Sequence, residues 1–134
     1  MKNRKGFTLV ELAVVIVIIG VLAAFGIPRF REAVERSKSG EAFNYLASVR
    51  AAQERYHARQ ASYAQVKSNL DINFPEPKYF SLWEITCDED DWLMILQRTG
   101  KSAGYGAYTV QFTELGYSTD SNIPAVINAM ASNN

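Results

Sequence analysis

The stretch GFTLVELAVVIVIIGVLAAFGIP, residues 6–28, decides how this chain is built. From Phe7 to Ile27 it holds 21 residues with a single charge, Glu11. At about 1.5 Å per residue such a run makes a helix about 31 Å long, enough to cross the hydrocarbon of a bilayer. Lys2, Arg4 and Lys5 precede it, and by the positive-inside tendency they keep the amino terminus in the cytoplasm and send the rest of the chain across. Arg29 and Arg31 weaken this asymmetry without abolishing it. An ordinary secretory signal is cut beyond a short apolar region, at small residues. Leu22-Ala23-Ala24-Phe25-Gly26 is a poor match to such a site. The alternative is a cut ahead of the apolar run, which leaves the whole helix on the mature chain.

The junction Lys5-Gly6-Phe7-Thr8-Leu9-Val10-Glu11-Leu12, with a basic leader before it and Pro28 after it, resembles the class III signal of type IV pilins and type II secretion pseudopilins. The close resemblance covers about residues 1 to 60 and is architectural beyond that. It implies a leader at 1–6, a transmembrane and assembly helix at 7–28, and an amphipathic helix with a globular sheet domain at 29–134. It implies that a prepilin peptidase cuts between Gly6 and Phe7 and that Phe7 becomes the N-methylated first residue. It further implies a homo-oligomeric helical filament built by an inner-membrane assembly platform. The chain would be single-pass in the inner membrane first and then part of an extracellular pilus. The alternative is a periplasmic pseudopilus of a type II secretion or competence system.

Glu11 needs a reason to be where it is, because a carboxylate in hydrocarbon is costly unless it finds a partner or the interface. Four residues in from Phe7, it reaches toward the headgroups. Cleavage also creates an ammonium at Phe7, and the resemblance implies that Glu11 pairs with that terminus on a neighbouring subunit, where a low dielectric strengthens the attraction. Gly20, Gly26 and Pro28 interrupt the helix, and Pro28 removes a backbone donor. A kink or a melted turn is expected at Ala24 to Pro28; the resemblance implies loss of helicity there in the fibre.

Beyond Pro28 the composition turns to mixed charge, yet helix formers continue through Arg59. Ala42, Leu46, Val49, Ala52 and Tyr56 recur at spacings of three and four and form one apolar stripe. Glu41, Arg50, Glu54 and Arg55 fall off it and read as a solvated or subunit-facing surface. Residues 60–78, with Pro75 and Pro77, read as a loop. Tyr79 to Thr86, Trp92 to Arg98 and Ala107 to Thr113 read as strands. Phe80 and Leu82 share one face of the first, and Tyr108, Val110 and Phe112 one face of the third. An antiparallel sheet of three to four strands against the helix stripe gives an α+β fold. Ile123 to Met130 could add a short helix or a further contact, and Ala131 to Asn134 a frayed end.

Formal charge is zero, and the leader carries three of the fourteen basic side chains, leaving eleven against fourteen acidic ones once it is removed. That balance gives no electrostatic footprint for nucleic acid. Cys87 is alone, so packing rather than an intramolecular disulfide must hold the domain. Asp88, Glu89, Asp90 and Asp91 lack the spacing and glycine of a calcium loop and read as a solvated hairpin. His57 reads as a surface residue. No nucleophile elbow, P-loop or metal-ligand set is present, so the reading contains no enzyme activity, cofactor or metal.

Overall fold

The computed structural model describes residues 6–88 and 90–130, apart from the side chain of Trp83. The leader residues Lys2, Arg4 and Lys5, the carboxylate of Glu89 and the end at 131–134 lie outside the described residues. One helix dominates: α1, Leu9–Gln60, of 52 residues. Thr8 opens it in an extended conformation, with φ −82° and ψ 152°. Ala61 closes it in the left-handed region, its N–H donating to the His57 carbonyl at 2.8 Å.

Pro28 lies inside α1 and does not end it, so the melted turn expected at Ala24 to Pro28 is absent from the single chain. Pro28 withdraws one donor and crowds the Ala24 carbonyl, a local cost that does not unwind the helical turns on either side. Gly20, Gly26 and Gly40 are helical as well. One unbroken helix therefore runs through both halves of the chain, about 78 Å of path at 1.5 Å per residue.

Four strands follow: β1, Phe80–Cys87; β2, Trp92–Arg98; β3, Thr109–Thr113; and β4, Gly116–Tyr117. They form an antiparallel meander in the order β1-β2-β3-β4. β1 and β3 start later than the residue pattern suggests, and the short β4 had no sequence signal beyond Gly116, whose φ of +109° suits a glycine at the turn.

β1 carries a bulge between Leu82 and Glu84. Strict alternation from Phe80 would turn Glu84 and Thr86 toward the helix. The extra residue resets the phase, so that Ile85 opposes Met94 and Cys87 opposes Trp92. Leu82 keeps the core-facing register opposite Leu96 but remains 43% exposed on this edge strand.

Ala42, Leu46, Val49 and Ala52 of α1 are fully buried, and Tyr56 is partly buried at the end of the stripe. They meet Trp92, Met94 and Leu96 of β2 and Val110 and Phe112 of β3. In place of a C-terminal helix there is one 3₁₀ turn, Ala125–Ile127, whose Ile127 is buried against α1. Ser39 Oγ donates to the Ile127 carbonyl at 2.7 Å and fastens it there.

Candidate functional site

The first half of α1 makes no use of its own domain. Phe7, Leu9, Phe25 and Phe30 are 70% or more exposed, and no part of the most apolar 18-residue window is buried. By length and composition this helix can cross a membrane. A contiguous apolar surface of this size is unstable in water and requires lipid or other chains around it.

Glu11 and Thr8 form a reciprocal cap at the tip of this arm. Thr8 N–H and Thr8 Oγ both donate to Glu11 Oε2, at 2.8 and 2.9 Å. Glu11 N–H donates to Thr8 Oγ at 3.2 Å. The side chains thereby serve two backbone donors that a helix start leaves unpaired. The spacing Thr8-x-x-Glu11 carries this capping box in the sequence, so Glu11 caps the helix whether or not it also lies at the interface or pairs. Among the described residues Glu11 Oε1 accepts no hydrogen bond, so one oxygen is open to a cation while the other caps. Phe7 and Gly6 precede the cap in non-helical, exposed backbone. Pro28 sits about twenty residues further along the same helix, between the arm and the domain.

Where arm meets domain, α1 buries a carboxylate. Glu35 is 1% exposed and receives Arg98 Nε at 2.6 Å, Arg98 Nη2 at 3.2 Å and the Tyr108 hydroxyl at 2.9 Å. Arg98 also donates to the carbonyls of Tyr79, Thr99 and Lys101. Burial pushes the Glu35 carboxyl up, but the Arg98 and Tyr108 hydrogen bonds and the charges of Arg98 and Lys38 outweigh it and hold it below the usual range. The sequence shows no sign of this triad, since Glu35 and Arg98 are 63 residues apart.

Further along α1 the polar residues assigned to a solvated surface hold loops in place. Glu41 accepts from the backbone N–H of Lys78 and Tyr79. Arg50 donates to the Glu114 carbonyl, and Arg55 grips Asp71. Buried Gln53 bonds both backbone groups of Ala64, at 2.8 and 3.0 Å. Cys87, half-buried at the end of β1, donates its thiol to the same Ala64 carbonyl, and burial raises its pKa. His57 stacks on Tyr63 with ring centroids 4.5 Å apart. Asp88, Asp90 and Asp91 stand at the β1–β2 turn, which is closed by Asp88 N–H on the Asp91 carbonyl.

An exposed apolar half-helix, capped at its tip and continuous with a half that grips a small sheet, is the form of a membrane-anchored subunit. A family model described as the prokaryotic N-terminal methylation motif matches residues 1–27. A fimbrial protein of Pseudomonas aeruginosa is 30% identical over 113 residues, covering 78% of this chain and 73% of that protein. The fimbrial protein EcpC of Eikenella corrodens is 46% identical over 55 residues, which is 41% of this chain and 36% of that protein. The type IV major pilin protein PilA of Myxococcus xanthus is 38% identical over 68 residues, 51% of this chain and 31% of that protein. The chain belongs to the type IV pilin family.

Proposed function

We infer that the chain is a structural subunit of a type IV pilus, stored in the inner membrane through its apolar arm and polymerised into an extracellular homo-oligomeric filament. The observation that carries this is the unburied arm on the same unbroken helix as the packed domain. An arm that buries nothing in its own chain must be buried in lipid or in its neighbours. Relatives with long coverage are named as fimbrial proteins, which favours a pilus over a secretion pseudopilus.

On this reading residues 1–6 are a leader, 7–28 the membrane and assembly segment, and 29–134 the secreted part. Prepilin peptidase cuts after Gly6, and Phe7 is N-methylated. Glu11 then has two tasks: its Oε2 caps the helix, and its Oε1 faces the amino terminus of an adjacent subunit, setting axial register. Pro28 leaves α1 one hydrogen bond short at the junction of arm and domain, where neighbours in a fibre could unwind it. Helices moving from lipid to protein gain little hydrophobic energy, so packing, the Glu11 pairing and an assembly platform give the process direction.

Intact-mass analysis and N-terminal sequencing of chains recovered from sheared surface filaments provide the test. The expected mature terminus is an N-methylated Phe7 on the most abundant subunit. A terminus near Gly26, an uncut leader in the fibre, or only a few copies beside a dominant homologous subunit would refute the reading.

A further inference from the structure

We propose that the membrane-proximal end of the domain is a docking surface for anionic phospholipid headgroups, which holds the unassembled subunit down on the bilayer. This goes beyond the pilus reading and rests only on its first part, the anchoring of the arm.

Because α1 is unbroken, height above the arm follows residue number at about 1.5 Å per residue. Arg29, Arg31, Arg36 and Lys38 therefore fall within about 15 Å of Pro28. Arg29 and Arg36 are two turns apart on one side of the helix, and Arg31 and Lys38 are likewise stacked on another. Two further cations arrive from the sheet domain. Arg98 donates to the Lys101 carbonyl at 3.0 Å while gripping Glu35, which places Lys101 beside that level of α1. The Tyr79 ring has Lys38 Nζ at 4.8 Å and Lys78 Nζ at 5.8 Å from its centre, which brings Lys78 to the same collar. Arg29, Arg31, Lys78 and Lys101 are exposed, and Arg36 and Lys38 partly so.

Few carboxylates oppose them. Glu35 is paired with Arg98 and also lies 3.7 Å from Lys38 Nζ. Glu32 and Glu41, the latter held by the backbone N–H groups of Lys78 and Tyr79, are the two negative charges set against Arg29, Arg31, Arg36, Lys38, Lys78 and Lys101. Acidic groups gather instead at the far end, with Asp88, Asp90 and Asp91 at the β1–β2 turn and Glu114 between β3 and β4. Arg50, Arg55 and Arg59 stand at that end too, the last two against Asp71, so the far end is mixed while the membrane-proximal end carries an excess of bases.

Basic residues on the translocated flank work against the orientation bias, so their concentration there serves something other than topology. Helical side chains tilt toward the N-terminus, which leans these cations toward the bilayer. Exposed Phe25 and Phe30 beside Arg29 and Arg31 suit the aromatic level of the interface. A basic collar at this height draws anionic headgroups, and salt screens the attraction within about 8 Å at physiological ionic strength. A second copy presenting its acidic end is the competing partner. The membrane is favoured because the continuous helix already sets the collar at the surface.

The full chain, reconstituted in nanodiscs of phosphatidylcholine or of phosphatidylcholine with phosphatidylglycerol, tests this with a nitroxide-headgroup lipid and backbone-amide relaxation. Co-elution with the discs reports anchoring by itself. Amides around Lys78 and Lys101 should relax several-fold faster in the anionic discs. High salt should reverse this, and so should the double variant Lys78→Glu, Lys101→Glu, whose exposed positions leave the core untouched. Equal relaxation in neutral and anionic discs would overturn the proposal. So would a double variant that docks like wild type, or one whose only defect is filament assembly rescued by Asp88→Lys, which would identify a second copy as the partner.

Discussion

Arg98 Nε lies 2.6 Å from Glu35 Oε1, with both side chains 1% exposed, so β2 is fastened to α1 by a desolvated ion pair at the root of the apolar arm. Tyr108 and three backbone carbonyls complete its hydrogen bonds. A satisfied buried pair adds little net stability, but breaking it strands a charge. Glu35→Ala or Arg98→Ala should each destabilise the domain by about 3–5 kcal/mol. An apolar replacement of both, Glu35→Leu with Arg98→Met, should recover much of that loss. Denaturation of the three variants decides the matter, and single variants within about 1 kcal/mol of wild type would mean that water reaches the pair.

The same cluster sets two pH limits. The Glu35 carboxyl ordinarily titrates near 4.5 and is lowered in the fold. Its contribution is therefore complete above about pH 4.5 and lost as pH falls through the lower native value. The Tyr108 hydroxyl, ordinarily near 10, is raised by burial first and by its bond to Glu35 second. Burial raises Tyr45 in the same direction. Their contribution is complete below about pH 10 and lost as pH rises beyond it. Cys87, raised by burial from an ordinary value of 9.0, adds a loss that begins earlier, so melting temperature plotted against pH should be flat from about pH 4.5 to about pH 9 and fall outside both, and Tyr108→Phe should soften the alkaline fall. An unchanged alkaline limb in that variant would place the loss elsewhere.

Capping and pairing by Glu11 are separable. A glutamine at this position still accepts from Thr8 but has no charge, whereas alanine removes both functions at about 1 kcal/mol for the cap. Glu11→Gln should keep wild-type helicity in micelles, and Glu11→Ala should fray the first turn. Both should be cleaved and inserted, and both should accumulate in the membrane with few filaments. Wild-type filament yield from Glu11→Gln would reduce Glu11 to a helix cap.

Among the described residues every buried side chain lies at Glu35 or later. Residues 29–134 should therefore fold without the arm, with circular dichroism showing helix and strand together and a cooperative melt. A small core is the risk here, since such domains retain much exposed surface. A truncated chain without cooperative melting would show that the arm or neighbouring subunits are needed for folding.

Legibility followed the range of the interaction. The apolar run, the stripe from Ala42 to Tyr56 and the three longer strands were readable because each depends on local composition or on a period of two or 3.6 residues. The β1 bulge was not readable, since the pattern from Phe80 contains no mark of where the register slips and only pairing with β2 reveals it. Nor did the sequence decide between a kink and a melted turn at Pro28, where the helix of the single chain runs on without a break.

By itself the sequence determined that this chain has an anchoring helix and a small α+β domain, because hydrophobic length and periodicity act residue by residue. Only the tertiary structure decided which charges are structural. Glu35 and Glu32 look alike in the sequence, yet one is buried against Arg98 and the other is not. A charge's role depends on what the fold places within a few ångströms of it, and those neighbours lie 63 and 73 residues away.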